Sequence, residues 1–156
     1  MKKTYNAFKF FIVLLSLVSL KSGAQSYCLP TTGSSYDDEI FNVSFGSMSN
    51  TSSCAQTGGA GSVLNVYSDY TTLVSAPIMV QGFSYPLTVT VGQCGSFAYG
   101  GYVRVWIDFN QNGLFTDPGE QVWTSAYTTF AVAGTLINAG NITIPATATP
   151  GFTRMR

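Results

Sequence analysis

The stretch VRVWIDF, residues 103–109, alternates strictly. Val103, Val105, Ile107 and Phe109 fall on one side, and Arg104, Trp106 and Asp108 on the other. A period of two with β-branched and aromatic residues is the pattern of a half-buried strand, because successive side chains leave opposite faces. The apolar set is the expected core face. The strand then runs into NQNGLFTDPGE, residues 110–120, a row of oxygen-bearing side chains around a glycine.

The same alternation recurs outward from this stretch. Leu87, Val89 and Val91 point one way, and Thr88 and Thr90 the other. Expected strands are Ile40–Phe45, Tyr70–Val74, Leu87–Val91, Val103–Phe109, Gln121–Trp123, Ala139–Ile144 and Thr153–Arg156. No helical periodicity lasts longer than a turn. Short strands separated by Gly, Ser, Asn and Pro predict an all-β fold, an antiparallel β-sandwich of jelly-roll or immunoglobulin-like type. The aromatic residues, 14% of the chain, are expected mostly inside it. Trp106 is the exception, either under a loop or neighbouring domain or serving as a ligand platform.

The first 24 residues read as a secretory signal peptide. Lys2, Lys3 and Lys9 precede an apolar run from Phe10 to Leu20, and Ser22, Gly23 and Ala24 are small enough for a cleavage site. Such a run is too short for an ordinary membrane span. No later apolar run is long enough either, so no membrane span is expected after signal cleavage. The remaining domain, 25–156, keeps Arg104, Arg154 and Arg156 against seven carboxylates, a net charge of −4. It has no basic patch for nucleic acid. It has no histidine, which removes the commonest general base and the usual zinc sites. Export to a secreted or cell-surface location permits disulfides. Cys54 and Cys94, each in a Gly/Ser/Gln-rich loop, are the expected pair, leaving Cys28 without a partner in this chain.

The loop after the central strand has the order of a calcium loop. Asp108, Asn110 and Asn112 stand at positions 1, 3 and 5, and Gly113 at 6. Alternate oxygens can converge on a hard cation while the glycine turns the chain, and Leu114 would add its carbonyl. Asp117 and Glu120 supply further carboxylates, although an EF-hand would have its acid one residue before Glu120. A metal-free turn is the other reading, since Asx side chains also bond to nearby backbone N–H groups. Catalysis by Asp108, Asp117 and Glu120 is disfavoured because they crowd one loop instead of facing each other across a cleft. Asp37, Asp38 and Glu39 form a second acidic cluster, read as a solvated turn.

Taken in order, YCLP (27–30), YDDEIFNVSFGSMSN (36–50), YSDYT (67–71), VWIDFNQNGLFTDPGEQVW (105–123) and ITIPATATPGFTRMR (142–156) resemble the GEVED domain family. These are β-rich modules of exported bacterial proteins, often joined to peptidases, adhesin-like repeats or a type IX secretion sorting domain. The family's Gly-Glu-x-Glu-Asp segment follows the Arg-Met-Arg strand and is not in this sequence, so the domain's last strand is expected to be missing. The resemblance implies a non-catalytic accessory or adhesion module, with neighbouring domains of the same protein, an extracellular polymer or a cell surface as partners. The second expectation is the N-terminal domain of a secreted hydrolase, a peptidase, whose catalytic part lies beyond Arg156. The third is a carbohydrate-binding module using Trp106 and tyrosines.

Overall fold

The computed structural model describes residues 27–28, 38–64 and 66–156. The expected leader, residues 1–24, and Asp37 lie outside the described residues. The described chain forms eight strands and no helix: β1 (Asp38–Phe45), β2 (Met48–Thr51), β3 (Ser84–Gln93), β4 (Gly100–Gly101), β5 (Arg104–Trp106), β6 (Gln121–Thr124), β7 (Thr128–Thr129) and β8 (Thr135–Thr143). All pairings are antiparallel. One sheet has the order β2-β1-β3-β8, and β4-β7 and β5-β6 form two-stranded ribbons.

β3 is the centre of the large sheet. Leu87, Val89 and Val91 are buried while Thr88 and Thr90 are half-exposed, as their alternation requires. They meet Phe45 of β1, Ile142 of β8 and Val103, Val105 and Ile107 of the central stretch in a single core cluster. Each such aliphatic side chain contributes about 1.5–3 kcal/mol on burial. That shared core carries the 103–107 segment beneath the sheet and so fixes where the following loop emerges. Regular β5 pairing ends at Trp106, but the chain continues extended. Trp106 N–H donates to Arg156 O at 2.8 Å, Arg156 N–H returns a bond of 2.9 Å, and Ile107 bridges Met155. The expected Thr153–Arg156 strand is therefore a short strip along the central segment.

Three expectations need correction. Tyr70–Val74 is a turn, with Leu73 and Val74 N–H groups both donating to Tyr70 O (3.0 and 2.9 Å). Asp69 overrides the alternation there, because its carboxylate accepts the Thr71 N–H at 2.9 Å and hydroxyl at 2.5 Å, as an Asx turn does. Asp108 does not share the outward face of Arg104: it is fully buried. Among the described residues, the aromatics mostly lie outside the buried core. Phe45 and Phe130 are the buried ones, whereas Phe83, Phe97, Tyr99, Tyr102, Tyr127 and Phe152 are exposed.

Cys54 and Cys94 form the expected disulfide, with a Cα separation of 5.5 Å. It ties the loop after β2 to the residue following β3. Cys28 is a free, exposed thiol. Among the described residues no helix is long and apolar enough to cross a membrane.

Candidate functional site

The central segment and β6 form the neck of the 108–119 loop. Ile107 N–H donates to Glu120 O at 2.9 Å, and Glu120 N–H to Asp117 O at 3.2 Å. The Glu120 side chain turns inward and is 2% exposed. Its Oε1 accepts the N–H groups of Phe109 (3.0 Å) and Asn110 (3.4 Å). Its Oε2 is buried with no hydrogen-bond partner. A buried carboxylate oxygen in that condition is destabilising unless a group from outside the chain, such as a cation, meets it.

Asp108 organises the first half of the loop. Its Oδ1 accepts Asn112 N–H at 3.2 Å, and its Oδ2 accepts Gly113 N–H at 2.9 Å. Gly113 has a φ of 85°, the left-handed conformation that glycine adopts without a Cβ clash. Asn110 and Asn112 form successive Asx turns, their Oδ1 atoms accepting Asn112 N–H (3.0 Å) and Leu114 N–H (2.8 Å). Their Nδ2 groups both donate to Asp117 Oδ2, at 3.1 and 2.6 Å. These donors, Asn110 first, hold the Asp117 carboxyl below the usual range.

All six residues read from the sequence as ligands, Asp108, Asn110, Asn112, Leu114, Asp117 and Glu120, thus lie in one hydrogen-bonded loop. Among the described residues no three His, Cys, Asp or Glu side chains gather closely enough to hold a metal by themselves. A cation here would draw on amide and backbone oxygens as well as carboxylates, a donor set that suits calcium. The two Asn amides present nitrogen to Asp117, so they would have to turn oxygen toward an incoming cation. Trp106 is half-buried in β5, its backbone engaged with Arg156.

Four contributors escaped the sequence reading. The Tyr27 hydroxyl donates to Asp108 Oδ2 at 2.8 Å. Partial burial, and then the Asp108 carboxylate, push its pKa up. The Tyr27 ring lies 5.2 Å from that of Phe115, and the Arg154 guanidinium sits 4.6 Å from its centre. Arg154 also pairs with Asp69 at 3.6 Å. Thr153 donates its hydroxyl to the Asp108 carbonyl, and Thr149 accepts Gln111 Nε2 at its carbonyl, 2.8 Å away. Only the basic and hydroxylic residues of TPGFTRMR hinted at this, and nothing local marks Tyr27.

Comparison with curated proteins and with solved structures gave no match in either set. A family model does match, over residues 102–156. That span holds the central segment, the whole Asx loop and the 153–156 strip, but not the stretches between Tyr27 and Gly101 that also carry the resemblance. The model that matches residues 102–156 is that of the GEVED domain, to which this part of the chain is similar.

Proposed function

We propose that this chain is an exported, non-catalytic β module whose 108–120 loop is stabilised by calcium. The observation that carries the cation is Glu120 Oε2, buried without a partner beside a loop of carboxylate and carboxamide oxygens. Ligand oxygens would come from Asp108, Asn110, Asn112, the Leu114 carbonyl and Asp117 or Glu120. Binding would replace the two amide bonds to Asp117, so part of the cation's gain offsets their loss. Affinity in the range of extracellular modules, roughly 10⁻⁴–10⁻³ M, follows. The Cys54–Cys94 disulfide and the family match favour an extracellular setting. Function is then presentational, a stable surface for neighbouring domains, a polymer or a cell surface.

The test is the melting temperature in millimolar calcium and in EDTA, for the natural chain and for Glu120→Gln. The natural chain should melt higher in calcium. Glu120→Gln keeps the acceptor for Phe109 and Asn110 but loses the charge, so its EDTA value should hold while the calcium increment disappears. No increment in the natural chain would leave the loop a metal-free Asx turn.

A further inference from the structure

Glu39 does not sit in a solvated turn: it lies half-buried in β1, beside the end of β3. With Arg104, at the start of β5, it lines a cleft of about 170 Å³. We propose that this cleft binds a small apolar zwitterion, an α-amino acid or dipeptide that carries both an ammonium and a carboxylate. The cleft is smaller than the ~300–1,000 Å³ of drug-sized ligand pockets, which suits a ligand with a single side chain to bury.

Charge selects the ligand. Glu39 belongs to the large sheet and Arg104 to the β5-β6 ribbon. Among the described residues neither head group has an ion-pair or hydrogen-bond partner. Both can be reached from solvent, since Arg104 is exposed and Glu39 half-exposed. Burial raises the Glu39 pKa and no nearby cation lowers it, so a ligand ammonium would relieve a cost that the free protein carries. An anion alone would be repelled by Glu39 and a cation alone by Arg104. A neutral ligand would gain from neither, whereas a dipolar one gains from both.

The rest of the lining is apolar or aromatic. Val91, Val103 and Phe130 of the core form the floor, and the exposed Ile40 and Tyr102 stand beside it. An apolar side chain laid there would cover both. The Tyr102 ring is braced edge-to-face by Tyr127, with ring centroids 5.5 Å apart. Floor and walls are held before any ligand arrives. Ile40 pairs with Val91 in the β1-β3 ladder, and Val103 N–H donates to the Ser125 hydroxyl at 2.9 Å. A cleft fixed in this way loses little ordering entropy on binding.

Amide chemical-shift titration of the oxidised chain with leucine and with leucyl-leucine tests this. At least one should move the amides of Ile40, Val91 and Val103, and the tighter of the two tells a free amino acid from a peptide. N-acetyl-leucine lacks the ammonium and leucinamide the carboxylate, so each should bind about tenfold more weakly. Glu39→Gln should weaken binding of the zwitterion about tenfold and bring it level with N-acetyl-leucine. Its urea midpoint at neutral pH should rise meanwhile, so unfolding cannot account for the loss. Arg104→Gln should likewise bring the zwitterion level with leucinamide. The proposal is overturned if neither ligand moves those amides, or if either blocked analogue binds the natural chain as tightly as its parent. Shifts confined to the 108–120 loop would place the ligand elsewhere and also overturn it.

Discussion

The Tyr27 hydroxyl and the Asp108 carboxylate, 81 residues apart in sequence, are joined by a 2.8 Å hydrogen bond. The bond ties the start of the described chain to the root of the Asx loop. Arg154, over the same tyrosine ring and paired with Asp69, draws the 153–156 strip and the 69–74 turn into the same cluster. Hydrogen bonds to ionised groups contribute about 1.5–3 kcal/mol. Tyr27→Phe should therefore lower stability by about 1–2 kcal/mol, given its partial exposure, while preserving the contacts with Phe115 and Arg154. Urea unfolding at neutral pH reads this, and an unchanged midpoint would mean that the segment is not fastened there.

Asp108→Ala should be costly with or without calcium. It strands the Asn112 and Gly113 N–H groups and takes the Asp108 acceptor from the Tyr27 hydroxyl. The expected loss is about 3 kcal/mol in EDTA, the range for removing one partner of a buried charged group. A loss seen in calcium alone would show that cation binding, and not the hydrogen-bonded turn, is what Asp108 serves.

The disulfide closes a 40-residue separation. In the chain-entropy model this is worth about 4 kcal/mol, through restriction of the unfolded chain. The double variant Cys54→Ser/Cys94→Ser should unfold at correspondingly lower denaturant. Peptide mapping of the oxidised protein should find Cys54 joined to Cys94 and Cys28 alkylated.

Glu39 and Asp69 give opposite pH signatures. Burial raises the Glu39 pKa. Its contribution is then fully present below the unfolded value, about 4.3, and is lost as pH rises through the folded value. Glu39→Gln should stabilise the protein at pH 7 and change little at pH 3. Bonds from Thr71, followed by weaker help from Tyr67 and Arg154, lower the Asp69 pKa. Its stabilisation is full above the unfolded value of about 3.9 and fades as pH falls through the folded one. Asp69→Asn should cost stability at pH 7, with the gap closing in strong acid. Urea midpoints at several pH values check both signs.

Where a pattern was both periodic and flanked by turn residues, it was legible. Leu87 to Val91 and Val103 to Ile107 lie as their alternation demanded, because a strand with one buried face allows no other register. β2 was missed although its signal was present. Gly46 and Ser47 sit between two short runs, and Gly46 has a φ of 58°, suited to a two-residue hairpin turn. Tyr70–Val74 looked like a strand only while the capping power of Asp69 was ignored.

The sequence by itself determined the all-β class, the core face of the two central strands, the Cys54–Cys94 pair and the membership of the Asx loop. Each depends on neighbours a few residues apart or on which residue types are available, and both can be read locally. Tertiary structure alone decided that Asp108 is buried, that Tyr27, Thr153 and Arg154 close over it, and that Glu120 Oε2 and the Tyr70 hydroxyl are left without partners. Those facts depend on contacts between segments far apart in the chain. Local periodicity assigns a side chain to a face, but what covers that face is set by how the sheet, the loop, Tyr27 and the 153–156 strip pack together.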